Sequence, residues 1–419
     1  MEVLKFGGAS VKDVAAIKNV GQIIANYEEK ELVLIVSAMG KVTNQLEAIF
    51  HTYIKQQHYI DLWNDLKEEH YVIAKQLCNE DREAKLLASL NLLFEEVAEF
   101  MEQPPVNNAN FIYDQMVSLG EMLSTTILSH YLKQIGIDND WLNVKNFIKT
   151  DNNYREANVD WNKTQEHIDE IFTKNKAPIK ITQGFLGATP ENFTTTLGRE
   201  GSDYSAAVFA YCLAVNKMTV WKDVSGILNG DPRYITETTK IEQLDYRQAN
   251  EMTHFGAKVI HPKTMQPLAE KNILLEVRSF LQPQNRGTRI SGLPVEKEQI
   301  PPVVVLNSKQ ILIKIKRIKE ELFLEKDIAF VYQTLAKHQV LPNIAYQTAY
   351  DLRLGLDNKN FKNDLLFKEI STLYKIEVLG ENLQQFTFLY WNDLFIKKQL
   401  KGKTPIIEQR SKEVVKVLT

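Results

Sequence analysis

Residues Leu32–Val36 read Leu-Val-Leu-Ile-Val, apolar at every position. Side chains of an extended chain point alternately to opposite faces, so a strand of this composition needs cover on both sides. That is the condition of a central strand in a parallel sheet flanked by helices. The neighbouring chain agrees. Residues 3–6 read as a short buried strand, a Gly-Gly turn follows, and residues 11–27 place Ala15, Ile17, Val20, Ile23 and Ile24 on one helical face. The alternation resumes with strands expected near 141–144, 178–182 and 218–221, and helices near 164–172 and 202–213. Between these, residues 43–101 are helical and charged, Pro104-Pro105 stops the pattern, and one helix is expected over 111–132. Strands alternating with helices predict an α/β fold, with an open, mainly parallel sheet and helices on both faces.

Near residue 292 the rhythm changes. Gly292, Pro294, Pro301 and Pro302, with charges between them, predict a linker over 293–302. Beyond it, strands over 311–315, 343–347, 352–356 and 375–378 and helices over 327–338 and 362–373 make one β-α-β-β-α-β unit, the ferredoxin-like pattern. A short tail, 404–419, closes the chain. The expected division is a domain over 1–292, the linker, and a smaller α+β module over 303–419.

Charge and cysteine usage exclude several functions. The formal net charge of the 419 residues is only -3, which excludes a nucleic-acid binder driven by bulk charge. Cys78 and Cys212 stand apart with no Cys-x-x-Cys pair, so neither a disulfide framework nor a structural zinc site is expected. No apolar run reaches ~18 residues, and residues 1–6 enter a strand instead of a cationic leader. A cytoplasmic protein with no membrane partner is the expectation.

Glycine is scarce, 18 residues in all, against a usual share of about 7%. Eleven of those before residue 260, all but Gly21 and Gly136, fall in short clusters beside Lys, Ser, Thr, Asp and Arg, as where a backbone must approach a ligand closely. Lys5-Phe6-Gly7-Gly8-Ala9-Ser10 ends a strand and opens a helix, so its amides can cup an anion beside a lysine. It is neither a Walker A sequence nor a Rossmann fingerprint; alone, it reads equally well as a tight turn with an exposed lysine. Ser37-Ala38-Met39-Gly40-Lys41-Val42-Thr43 repeats the design after the second strand, or is a plain N-cap at Thr43. Parallel strands would bring both loops to the carboxyl edge of the sheet, where open α/β folds bind ligands. Gly198-Arg199-Glu200-Gly201-Ser202-Asp203 leads into a helix; Arg199 offers a fork for a carboxylate, while Asp203 by itself is most simply a complement to the helix dipole. A glycine-punctuated loop, Lys222 to Arg233, follows the strand at 218–221, and Gly256-Ala257-Lys258 supplies a further cation.

Taken in order, these segments together with Gln183-Gly184-Phe185-Leu186-Gly187 and Thr194 to Asp203 resemble the aspartokinases of the amino acid kinase family, closely over 1–292 and loosely beyond. The resemblance implies an ATP-dependent transfer, with magnesium, onto the side-chain carboxylate of L-aspartate, giving 4-phospho-L-aspartate, the first step toward lysine, threonine and methionine. By position it implies Lys5 and Asp203 as catalytic residues. Ser37, Thr43, Glu121, Phe185, Arg199 and Ser202 would form the aspartate pocket, with Glu121 on the amine and Arg199 on the α-carboxylate. Lys5, Gly7, Gly8, Ser10, Lys222, Asp223, Leu228, Arg233 and Lys258 would hold ATP, and no protein residue is assigned to metal. The chemistry is consistent: a carboxylate is already a nucleophile at pH 7, so the task is to align two anions and offset their repulsion.

The sequence departs from the family pattern at four places: Ala9 for threonine in K-F-G-G-T-S, Glu200 for the second glycine of G-R-G-G-S-D, Leu228 for a tyrosine, and Lys222 for a small hydroxyl residue. The family's two ACT domains are reduced to one ACT-like unit plus the tail, which predicts a homodimerisation module with weak or lost inhibition by lysine or threonine, testable by titration with either amino acid. Two alternatives stay open: a kinase for another small carboxylate, and a catalytically weak amino-acid-binding regulatory protein.

Overall fold

The computed structural model describes Met1–Thr419 apart from Lys30, Lys176, Lys258, Val259 and Lys359. The chain forms two compact units. The first comprises Met1–Ile227, Glu242–Ala249 and Ile260–Pro294; the second comprises Leu228–Ile241, Asn250–Val259 and Val295–Thr419.

The first unit is built on an eight-stranded sheet. Its strands are β1 (Glu2–Phe6), β2 (Leu32–Val36), β3 (Asp140–Trp141) and β4 (Ile179–Gln183). A two-stranded hairpin, β5 (Leu186–Ala188) and β6 (Thr194–Thr196), stands apart, and β7 (Lys217–Lys222), β8 (Gln243–Asp245), β9 (Leu274–Ser279) and β10 (Thr288–Ser291) complete the sheet. The order is β3-β4-β2-β1-β7-β9-β10-β8, parallel from β3 through β9, with β10 antiparallel to β9. All five residues of β2 are buried, as its all-apolar composition requires. The α/β expectation is therefore met.

Helix α1 (Val14–Ala25) starts later than its periodicity suggests, because Gly8–Val11 forms a 3-10 turn and Asp13 caps the helix by accepting the Ala16 N–H at 2.8 Å. Helices α2 (Val42–Ile54), α3 (Ile60–Leu77) and α4 (Glu80–Glu102) fill the long charged stretch. The single helix expected over 111–132 is two, α5 (Ala109–Val117) and α6 (Leu119–Gln134). Ser118 ends the first, its hydroxyl donating to the Gln115 carbonyl at 3.0 Å, one of the local bonds by which serine competes with helix continuation. The strand expected over 141–144 is also shorter, since Val144–Asn146 turns into a 3-10 helix capped by Asn143. Helices α7 (Trp161–Lys174), α8 (Gly201–Cys212), α9 (Tyr246–His254) and α10 (Pro262–Glu270) follow.

In the second unit one antiparallel sheet runs β12-β13-β11-β14-β16-β15. Its strands are β11 (Val303–Arg317), β12 (Ile344–Gln347), β13 (Asp351–Asp357), β14 (Tyr374–Leu389), β15 (Ile407–Arg410) and β16 (Val414–Leu418). Helices α11 (Glu325–Lys337) and α12 (Asn360–Ile370) complete the expected ferredoxin-like module. The C-terminal segment is more than a short tail: α13 (Asp393–Gln399), β15 and β16 join the first half of β11 and the second half of β14 around a separate core of Val304, Phe386, Phe388, Ile396, Val415 and Val417. The two long strands serve both cores. Their pairing shifts register between Asn307 and Ile313, beside the left-handed Lys309 (φ 59°) and Asn382 (φ 55°). That irregularity hides the continuity of each strand from a search for period-two patterns.

Candidate functional site

The parallel register of β1 and β2 places their ends side by side, and the loops that follow are pinned together. The Ser37 N–H donates to the Phe6 carbonyl at 3.1 Å, and the Gly40 N–H donates to the Gly8 carbonyl at 3.0 Å. A Cβ on Gly8 would stand 2.8 Å from the Ala38 carbonyl oxygen, so only glycine lets the two loops meet. These loops wall one side of a cavity of about 420 Å³. The sheet supplies its charges. Lys5 is the penultimate residue of β1 and Lys222 ends the adjacent β7, while Asp203 stands in the first turn of α8. Lys5 Nζ lies 2.7 Å from Asp203 Oδ1 and Lys222 Nζ lies 3.6 Å from Oδ2. Burial alone would raise the Asp203 carboxyl, but the two lysines hold it below the usual carboxylate range. Trp221 completes the wall, stacked on Phe6 at 6.0 Å and covered by the Arg278 guanidinium at 4.9 Å.

The same cavity is lined by Glu121, in the first turn of α6. It accepts the Ala38 N–H on Oε1 at 3.1 Å, and Ser124 of the same helix donates to the Ser37 carbonyl at 2.8 Å. Glu121 is 3% exposed, and burial pushes its carboxyl up to about 8 against the lowering effects of the Ala38 N–H and of Lys5. Its Oε2, the Ser10 hydroxyl and the Trp221 Nε1 have no hydrogen-bond partner among the described residues. Buried polar atoms left unsatisfied are costly unless a ligand completes them, and all three residues line the cavity.

The cavity thus gathers Lys5, Gly7, Gly8, Ser10, Ser37, Thr43, Glu121, Phe185, Ser202, Asp203, Lys222 and Asp223. Arg199 lines a neighbouring cavity of about 540 Å³; Phe185 and Gly198 line both. Leu228 and Arg233 belong to the second unit, and Arg233 there forks onto the Asp231 carboxylate at 2.9 and 2.5 Å. Lys258 lies outside the described residues. Glu200 also lines the first cavity, and it adopts φ 53°, ψ 27°, the left-handed region that favours glycine.

Sequence reasoning missed the support for the second cavity. Asp114, in α5, is fully buried and accepts from the Thr196 N–H at 2.9 Å, the Thr196 hydroxyl at 2.7 Å and the Arg155 N–H at 3.0 Å. A lone carboxylate amid Phe111, Ile112, Tyr113, Met116 and Val117 was the available signal. Gln115 adds a two-way link to the Thr194 backbone, at 2.9 and 3.1 Å, so α5 holds the β5–β6 hairpin beside the site.

Comparison with known proteins agrees with this architecture. Residues 1–279 match the profile described as the amino acid kinase family. The bifunctional aspartokinase/homoserine dehydrogenase 2 of Arabidopsis thaliana is 30% identical over 70% of this chain and 32% of its own length. The chain spans about a third of the first curated relatives that it matches. Lysine-sensitive aspartokinase 3 of Escherichia coli is 28% identical over 90% of this chain and 84% of its own. In fold, the chain superposes on E. coli aspartokinase III in complex with aspartate and ADP with a TM-score of 0.82, at 24% identity over 100% of this chain and 96% of that one.

Proposed function

The chain belongs to the amino acid kinase family, and from that premise we propose that it is an aspartate kinase, transferring the γ-phosphoryl group of ATP to the side-chain carboxylate of L-aspartate. The observation that carries the reading is the cavity in which a glycine-lined anion cradle, the Lys5–Asp203–Lys222 cluster and the buried Glu121 face one another. The relatives named as aspartokinases support the choice of acceptor.

In this reading the amides of Gly7 and Gly8 and the Ser10 hydroxyl hold phosphate oxygens. Lys5 and Lys222 offset the repulsion between the incoming carboxylate and the phosphates, in a buried setting where such charges act strongly. Asp203 keeps both ammonium groups in place. Glu121 takes the α-ammonium of aspartate on its open Oε2, and Arg199 takes the α-carboxylate. The Asp203 carboxylate, paired with both lysines, would face magnesium carried in on the nucleotide phosphates, which when bound would neutralise charge on the transferring group. The product is an acyl phosphate, 4-phospho-L-aspartate, the entry to lysine, threonine and methionine synthesis, and the working form is a homodimer, testable by light scattering.

The test is aspartate-dependent ADP release with hydroxylamine trapping of the acyl phosphate. Lys5→Ala is expected to lower kcat by ~10²–10³-fold, the scale of removing one preorganised charge. No aspartate-dependent turnover by the wild-type chain would sink the reading.

A further inference from the structure

We infer that Arg155 is a second carboxylate-binding residue of the acceptor site, lining the same cavity as Arg199, and that Asp114 is the positioning residue that holds it there. The inference rests on the acceptor-site reading above. Arg155 and Arg199 line the same cavity, and its shared Phe185 and Gly198 join it to the cavity of Lys5 and Glu121. Two guanidinium groups face one carboxylate there, Glu156, so the lining carries a net positive charge suited to an anion.

The placement of Arg155 is built. Its backbone lies at φ 72°, a left-handed conformation that an L side chain rarely adopts. The compensating contact is the N–H donated to Asp114 Oδ2 at 3.0 Å, and that carboxylate is itself fixed by two bonds from Thr196. The guanidinium then stacks over the Tyr113 ring with its carbon 4.0 Å from the centroid, while the Tyr113 hydroxyl is anchored on Glu47 at 2.7 Å. A planar cation resting on a fixed aromatic face is oriented in advance, which suits the guanidinium fork to a carboxylate. The chemical class recognised is a small dicarboxylate, in which one carboxylate reacts and the other is clamped. Arg155 also supplies positive charge to an acceptor region where Glu200 introduces a negative one.

The experiment uses the full chain with Arg155→Ala, Arg155→Lys and Asp114→Asn. Aspartate and succinate binding is measured by calorimetry, and KM for aspartate and for ATP by ADP release. Arg155→Ala is expected to weaken binding of both dicarboxylates about tenfold with KM for ATP and the thermal midpoint as in the wild type. Arg155→Lys should restore only part of the loss, because an ammonium cannot form the fork. Asp114→Asn should raise KM for aspartate, and adding it to Arg155→Ala should raise that KM no further. Aspartate binding by Arg155→Ala within twofold of the wild type overturns the inference, as does an equal loss of ATP binding or a wild-type chain that binds neither dicarboxylate. Should the wild-type chain bind aspartate yet not phosphorylate it, the kinase reading fails while the calorimetry still decides the role of Arg155.

Discussion

Burial decides what the individual site residues can do. Glu121 sits in a position where its carboxyl is pushed up to about 8, so in the free protein below that pH it carries a proton that an incoming ammonium must displace. Affinity for aspartate is therefore expected to rise with pH toward about 8 and to level off above it, falling by at most about tenfold per unit on the acid side. A KM for aspartate that is flat from pH 6 to 9 would remove Glu121 from the ammonium site. Stability has the opposite sign: with the folded value raised from 4.5 to about 8, the contribution of protonated Glu121 to the ligand-free chain is fully present below about 4.5 and is lost progressively as pH rises to about 8. Glu200 is exposed, and its constraint comes from the backbone. It stands at φ 53° where the family pattern has glycine, and a non-glycine residue there costs about 1–2 kcal/mol. Glu200→Gly is expected to raise stability by about 1 kcal/mol in thermal unfolding and to lower KM for aspartate, since a carboxylate beside an anion site is removed. Lys5 was legible as a chemistry-bearing residue from its motif, while Glu121 and Asp203 took their roles only from the family resemblance. Their ionisation was not legible, because desolvation sums over neighbours that the motif does not contain.

Among elements, the loops after β1 and β2 are the most tightly specified. Gly8 faces backbone oxygens of Ala38 and Gly40, at 2.8 and 3.2 Å from a would-be Cβ, which cannot rotate away. Gly8→Ala should separate the loops at an overpacking cost of ~1–3 kcal/mol and raise KM for ATP by about tenfold or more, the kinetic equivalent of ~1.4 kcal/mol. An unchanged KM for ATP would mean that this cradle does not hold phosphate. The two glycine turns and the strands before them were readable, since turn chemistry and apolar runs are local. The division of α5 from α6 at Ser118 was not. Helical periodicity runs through both, and it takes the docking of Gln115 and Asp114 against β6 on one side and of Glu121 and Ser124 against the loop after β2 on the other to give them separate positions.

Across the whole molecule, the second unit draws on three stretches of chain, and its sheet needs both ends of its last one. Val415, Val417 and Leu418 of β16 are fully buried, and at about 1.5–3 kcal/mol for each buried apolar side chain they hold a large part of a domain's usual ~5–15 kcal/mol. Deleting 404–419 is expected to abolish cooperative folding of this unit, read as rapid proteolysis within 303–403 while 1–227 stays protected; an intact second unit after the deletion would show that the C-terminal strands are dispensable. The alternation of strands and helices, the glycine turns and the order of the motifs were determined by the sequence alone, because each depends on residues within one or two turns of chain. Those local patterns were enough to assign the parallel α/β fold and its family. Tertiary structure alone decided that Lys5, Glu121, Asp203 and Lys222 line one cavity, that Asp114 accepts the Arg155 N–H beside another, and that the last residues extend a sheet begun at Val303. Register and desolvation arise from pairings between distant segments, and those are set when the chain packs.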